Sequence, residues 1–381
     1  MGVEQGADSD ALKRAYRKLA RRHHPDVSQD ANAHEHMARI NEAFNTLLDP
    51  SRRAEYDAML AGGAIESPVK SGRRAPPKPV SLRLKSRYRG HYTPVYALAF
   101  APDTGQLISS SFDNELVWWG ADGTPARRRR LEAGLVSTLR AFPEGRIAAA
   151  GSAETLVSFW HLNGESVDSW RTDKDEWVSC LSISPDGKSL ASGSIHHSLA
   201  VADTFNGLHR YKLEGHGDSI TAVGWSPDGR LLATGAADAS VKLWNGKTGE
   251  QLETISNIRS TVTALAISPD NNFLAVASVD YSIRVFDLST GVLAKVMFGH
   301  TKPIEALAFH PNGWLFASGS RDGSVGLWNA TKGIGNVRID VSSRPISCVS
   351  FSPDGSYFAA GGQDKLIRIW DVAVKEVPET R

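Results

Sequence analysis

Ser226-Pro227-Asp228-Gly229, then Arg230-Leu231-Leu232-Ala233-Thr234-Gly235, then Asp238-Ala239-Ser240-Val241-Lys242-Leu243-Trp244, is the stretch that decides the fold of this chain. Proline and glycine in the first four residues force a chain reversal. The two apolar runs that follow are short, rich in strand formers and separated by a second turn built on an acid, so they read as strands of a hairpin. The pattern recurs along the chain. The residues closing the second run are Trp119, Trp160, Ala202, Trp244, Phe286, Trp328 and Trp370, with a first interval of 41 residues and the others of 42. A proline stands 17 residues before each of them, at Pro102, Pro143, Pro185, Pro227, Pro269, Pro311 and Pro353. Six residues before each lies Asp113, Glu154, His196, Asp238, Asp280, Asp322 or Asp364. Self-similarity at this period marks a repeat architecture, in which a small sheet cannot bury both its faces alone and must pack against copies of itself.

The array over residues 80 to 371 resembles the WD-repeat family, with seven units of four short strands. The resemblance implies an all-β, seven-bladed propeller. It also implies buried hydrogen-bonded chains, here His216, Thr234, Asp238 and Trp244 in one unit and His300, Ser318, Asp322 and Trp328 in another; His91 is expected to be structural in the same way. The second and third units depart most from the pattern, with Glu154 and His196 replacing Asp and Ala202 replacing Trp. The chain stops after the third strand of the last unit, Leu366 to Trp370. The missing fourth strand is available before the first Gly-His, in Val80 to Leu84, so pairing of the two ends is expected to close the ring and remove an exposed edge.

Family propellers bind peptides and proteins on the face carrying the loops that precede each innermost strand. In register, that rim carries Phe112, Trp177 and Tyr281 as aromatic anchors, with Lys302, Arg321, Arg344 and Gln363 nearby. Glu176 and Asp218 stand in the register of Lys302 and Arg344, so a rim acidic on one side and basic on the other is expected.

The first sixty residues follow a different period. Leu12, Ala15, Tyr16, Leu19 and His23 fall on one helical face, and Arg14, Arg17, Lys18 and Arg21 on the opposite one. Pro25 ends the helix by disfavouring helical geometry at His24. Ile40, Ala43, Phe44, Leu47 and Leu48 form a second stripe, and a short third helix is expected after Asp49-Pro50. Two such helices pack as a hairpin with His24-Pro25-Asp26 in the connecting loop. This arrangement resembles the J domain of the DnaJ family, co-chaperones of DnaK-type ATP-driven chaperones. The resemblance makes His24, Pro25 and Asp26 the chaperone-activating loop and Arg14, Arg17, Lys18 and Arg21 the docking face for an acidic surface of the partner. Met1-Gly2-Val3 stands in place of the Leu-Gly-Val that ends the family's first helix. The expectation is therefore a J domain lacking that helix, with Tyr16, Leu19 and Phe44 losing part of their cover and the start codon assigned too far downstream.

Residues 61–79 are rich in small residues, proline and basic charge and read as a tether. The expected division is thus 1–60 J domain, 61–79 linker, 80–373 propeller and 374–381 tail: a multidomain chain with a small all-α J domain and an all-β propeller. Its 381 residues carry a formal net charge of +1, with 41% hydrophobic and 22% charged residues, the balance of a globular protein with no global pull on polyanions. Cys180 and Cys348 occupy matching strand positions and read as buried, not as a disulfide framework or zinc site. There is no apolar signal segment and no run long enough to span a bilayer.

The expectations are a cytoplasmic, monomeric protein that is not an enzyme, with no catalytic residue, no metal and no cofactor. Its expected partners are a DnaK-type chaperone, through the J domain, and an unidentified protein or peptide, through the propeller. Neither membrane nor nucleic acid is expected. The alternative reading is an interaction scaffold carrying an inactive, truncated J domain.

Overall fold

The computed structural model describes Leu12, Ala15 and Leu19, and residues 80–374 apart from 131–135, 143–145, 152–155, 162–165 and 172–177. The chain divides into two units, Met1–Pro77 and Lys78–Arg381. In the first, Leu12, Ala15 and Leu19 are helical and Leu12 is fully buried, as a stripe at i, i+3 and i+7 requires. His24, Pro25, Asp26, Arg14, Arg17, Lys18, Arg21 and the second and third helices of the expected hairpin lie outside the described residues.

The second unit is built of strands β1 (Val80–Arg89) to β28 (Leu366–Val374), numbered in chain order. The described strands form seven four-stranded sheets, all antiparallel between neighbours. The innermost strands are β2 (Val95–Phe100), β6 (Val136–Phe142), β10 (Val178–Ile183), β14 (Ile220–Trp225), β18 (Val262–Ile267), β22 (Ile304–Phe309) and β26 (Ile346–Phe351). Each touches the next in that order, and β26 returns to β2, so the sheets stand in a ring and the fold is a β-propeller.

Packing sheet face on sheet face explains the composition. The second strands, such as β11 (Ser189–Ser194) and β23 (Leu315–Ser320), are buried at every position because both faces meet another sheet. The core therefore lies between sheets. Ala233, Val241 and Leu243 of one sheet meet Val262, Leu274, Val276 and Phe286 of the next. Outer strands such as β17 (Gln251–Ile255) are mostly exposed.

The ring closes through the chain ends. In the last sheet the order is β1, β28, β27 (Tyr357–Gly362), β26, so the first strand of the unit pairs with the last. The register runs from Val80 opposite Val374 to Arg89 opposite Leu366, with a bulge between Leu84 and Ser86. Val80 is completely buried in the cluster that joins Leu315, Val325 and Phe358.

One feature escapes the period. Every innermost strand has an irregularity after its first residue, at 95/97, 136/138, 178/180, 220/222, 262/264, 304/306 and 346/348. The skipped residues are Tyr96, Ser137, Ser179, Thr221, Thr263, Glu305 and Ser347. A bulge of this kind leaves one residue out of the ladder and re-aims its side chain. The Ser179 hydroxyl shares its proton between Gly193 O (2.9 Å) and Ile220 O of the next sheet (2.6 Å). Thr221 does the same with Gly235 O (3.1 Å) and Val262 O (2.7 Å), stapling neighbouring sheets near the lumen.

Candidate protein-interaction rim

The rim is organised by the turn between the second and third strands of each sheet. In three sheets its acid anchors a buried chain. His300 Nδ1–H donates to Asp322 (3.0 Å), the Ser318 hydroxyl donates to His300 Nε2 (2.7 Å), and Trp328 Nε1–H donates to Ser318 Oγ (2.7 Å). In this order the imidazole donates from Nδ1 and accepts at Nε2, each ring nitrogen having one partner role. His216, Asp238, Thr234 and Trp244 repeat the chain at 3.0, 2.7 and 2.9 Å. His91, Asp113, Ser109 and Trp119 repeat it again at 3.0, 2.7 and 2.8 Å. These histidines are thus structural, as expected. The glycine before two of them allows close approach: a Cβ at Gly299 would lie 2.9 Å from the Trp328 ring and one at Gly90 2.7 Å from Trp119.

Two sheets without this histidine reach the same end by another route. Buried Arg284 donates to Asp280 Oδ2 (2.7 Å) and Ser278 Oγ (2.8 Å), and Arg368 donates to Asp364 Oδ2 (2.6 Å). Burial pushes the Asp280 carboxyl up, but the Arg284 guanidinium and the Ser278 and Ser282 hydroxyls outweigh it and hold it at about 2. Asp322 is held well below its ordinary range in the same contest, by His300 and Ser324. Burial pushes the imidazoles of His216 and His310 down, against the pull of Asp238 and of Gly355 O respectively.

These shifts share one sign. Below about pH 6.5 the unfolded chain binds protons that His216 and His310 refuse in the fold, and below about pH 4 it binds protons that the turn aspartates refuse. The propeller's thermal midpoint should therefore be flat above neutrality, fall gently as pH drops through 6 and fall steeply from about pH 4 towards 2. A midpoint higher at pH 5 than at pH 7 would contradict this.

The acid turns also place the expected rim residues. The backbone N–H of Arg321 donates to Pro303 O (2.9 Å) and that of Gln363 to Pro345 O (2.9 Å), which sets Lys302 and Arg344 beside them. Lys302, Arg344 and Gln363 are exposed. Trp177 and Glu176 lie outside the described residues. Two of the expected contacts differ from a free surface. Arg321 is ion-paired with Glu305, the bulge residue of its own sheet, so the basic character there rests on Lys302. Phe112 stacks on Tyr96, also a bulge residue, with ring centroids 3.9 Å apart, so the anchor is a pair of rings. Sequence periodicity overlooks Tyr96 and Glu305 because a one-residue bulge shifts neither the turn nor the tryptophan.

Tyr281 stands at φ 67°, in the left-handed region, with 41% of its surface exposed. The same turn position is held by Asn114, His197, Ala239 and Lys365 at φ 60–68° and by Gly323 at φ 81°. The conformation is therefore a demand of the turn, and a bulky aromatic residue meets it at a cost of about 1 kcal/mol. Tyr281 is exposed at that cost beside Val279, itself 39% exposed.

Arg140 is a further residue that the period does not reveal. It stands on β6 at the register of Ala99, Ser182, Gly224, Ala266, Ala308 and Ser350, the small residues of the other innermost strands. Its guanidinium donates to Leu139 O (2.9 Å). Among the described residues no group of three His, Cys, Asp or Glu side chains is placed to hold a metal ion. Cys180 and Cys348 are buried, and burial pushes the Cys180 thiol up to about 11 and Cys348 higher still, which makes both poor nucleophiles.

Comparison with known proteins places both halves. The family model "DnaJ domain" matches residues 1–57. The model "WD domain, G-beta repeat" matches residues 82–120, 164–202, 207–245, 249–287, 291–329 and 338–371, together more than half of the chain. No repeat is matched between 121 and 163, which includes the degenerate unit with Glu154. Among curated proteins, "Chaperone protein DnaJ" of Tetragenococcus halophilus is 47% identical over 64 residues, 17% of each chain. The protein of that name from Brevibacillus choshinensis is 51% identical over 57 residues, 15% of each chain. "Chaperone protein DnaJ 1" of Aquifex aeolicus is 48% identical over 61 residues, 16% of this chain and 17% of that one. The match thus spans only about a sixth of these relatives. The chain belongs to the WD-repeat family and carries a DnaJ domain at its N-terminus.

Proposed function

We propose that this protein is a co-chaperone: its J domain stimulates ATP hydrolysis by a DnaK-type chaperone, and a seven-bladed propeller selects the protein delivered to it. The observation that carries the first half is the DnaJ-domain match over residues 1–57 around His24-Pro25-Asp26. Arg14, Arg17, Lys18 and Arg21 supply a cationic face that steers docking onto an acidic surface and makes it salt-sensitive. The chain supplies no catalytic group of its own in this reading, since the ATPase chemistry belongs to the partner. The second half is supported by the exposed Tyr281, Lys302, Arg344 and Gln363 and the half-buried Phe112–Tyr96 ring pair, which this reading takes as the partner-binding rim. The tether at 61–79 then holds a bound partner near the chaperone at raised effective concentration. The protein works as a cytoplasmic monomer.

The two halves separate experimentally. Arg17→Glu with Arg21→Glu should weaken binding to a DnaK-type chaperone by roughly tenfold or more at low salt, leaving propeller partners unaffected. Tyr281→Gly should do the reverse. It removes the exposed ring and relieves the strained backbone, so partner binding falls while the melting midpoint holds or rises by up to about 1 kcal/mol of stability. Partner binding that survives Tyr281→Gly together with Phe112→Ala and Lys302→Glu would remove the rim from the reading.

A further inference from the structure

Each innermost strand is the inner edge of its sheet, so its free backbone N–H and C=O groups line the channel of the ring. The side chains of these strands carry almost no charge. Across β2, β6, β10, β14, β18, β22 and β26 the only charged residues are Arg140 on β6 and Glu305 on β22. Glu305 is taken up by its ion pair with Arg321. It also stands three strands away round the ring, with β26 and β2 between β22 and β6. Arg140 has no ion pair among the described residues, and its hydrogen bond there is to Leu139 O, on its own neighbour in the chain.

Side chains at the register of Arg140 lean along the ring towards the next innermost strand. The Ser182 hydroxyl accepts from the Trp225 N–H (3.1 Å), and a Cβ at Gly224 would lie 2.8 Å from Leu265. The six counterparts are Ala, Ser or Gly, so at this level only Arg140 is long enough to extend into the channel. Arg140 is exposed, yet burial works against its charge, and no carboxylate among the described residues offsets this. The titratable group that does act on it is the Cys180 thiol of β10, which burial keeps neutral. A space that admits water but is walled by protein satisfies both observations. The ring itself does not need an arginine here, since six sheets are built with a small residue. An enclosed cation is costly unless a counter-charge completes it.

We propose that the channel of the propeller holds a small oxyanion, a phosphate or a carboxylate, on the Arg140 guanidinium. A guanidinium carries five N–H donors in a planar fork, so the bond to Leu139 O leaves donors for two oxygens of one ligand. Free N–H groups on the inner strand edges supply further donors to an anion at that depth. The absence of any other unpaired charge on the innermost strands limits the site to one such group. The oxyanion arrives either free in solution or as a side-chain carboxylate of a bound protein. Its chemistry at Arg140 is the same in both cases.

The test uses the full chain and two probes, inorganic phosphate and N-acetylglutamate amide, whose one charge is a side-chain carboxylate. Each is titrated calorimetrically at fixed ionic strength into the parent, Arg140→Ala and Arg140→Lys. Alanine is what three other sheets hold at this level, as Ala99, Ala266 and Ala308, so Arg140→Ala should fold with a melting midpoint at or above that of the parent. The parent should bind at least one probe with a Kd of about 1 mM, and Arg140→Ala should bind it at least tenfold more weakly. Arg140→Lys keeps the charge but loses the fork, so it should bind severalfold more weakly than the parent, and it serves as the comparison should Arg140→Ala not fold. Binding of either or both probes through Arg140 supports the site, phosphate alone pointing to a free anion and the carboxylate alone to a partner's side chain. Equal affinity of the parent and both variants, or no binding of either probe to the parent, overturns it.

Discussion

Removing residues 80–86 should collapse the propeller, although those residues are only one end of it. β1 pairs with β28 along nearly its whole length, and Val80 and Leu82 enter the cluster that joins the sixth and seventh sheets. Deletion withdraws these side chains, worth about 2–4 kcal/mol together, and strips β28 of its outer partner. It also opens the bonded link between the first and last sheets, so the loss is felt around the ring. The thermal midpoint should fall by at least about 10 °C, given roughly 2–4 °C per kcal/mol for a domain of this size, or the domain should fail to fold. A deletion variant that melts within a few degrees of the parent would show that closure does not depend on β1.

The second large effect is expected at Asp280. Its carboxylate accepts from Arg284, Ser278 and Ser282, and Arg284 has 8% of its side chain exposed. Asp280→Ala leaves the guanidinium buried without its counter-charge, which should cost about 3–5 kcal/mol. The partner change Arg284→Met removes the stranded charge. The double variant should therefore recover most of the loss, because a buried ion pair is worth little more than a well-packed apolar pair of similar volume. Urea unfolding of the two single variants and the double gives the coupling directly. Additive losses would mean that the two side chains do not act as a pair.

These two cases show what a sequence discloses. The repeat was legible from turn chemistry and tryptophan spacing, because both are local demands of a strand–turn–strand unit. Pairing of the chain ends was legible by counting strands. The Asp–His–hydroxyl–Trp chains were legible where the Gly-His pair is present. Arg284 and Arg368 were not, since a charged residue in an alternating strand reads as an outward one. Only the structure shows that both faces of that strand are covered. The bulge residues Tyr96 and Glu305 were missed for a related reason: a bulge alters side-chain direction without altering spacing. Glu305, which holds Arg321, is one part of the rim that stayed out of view for this reason.

The most direct test of the central claim is single-turnover ATP hydrolysis by a DnaK-type chaperone, with this protein added beside its His24→Gln variant. The parent should accelerate hydrolysis by roughly tenfold or more, each tenfold being about 1.4 kcal/mol of barrier, and His24→Gln should not. Equal rates with parent and variant, or no acceleration by either, would contradict the co-chaperone reading and leave an interaction scaffold.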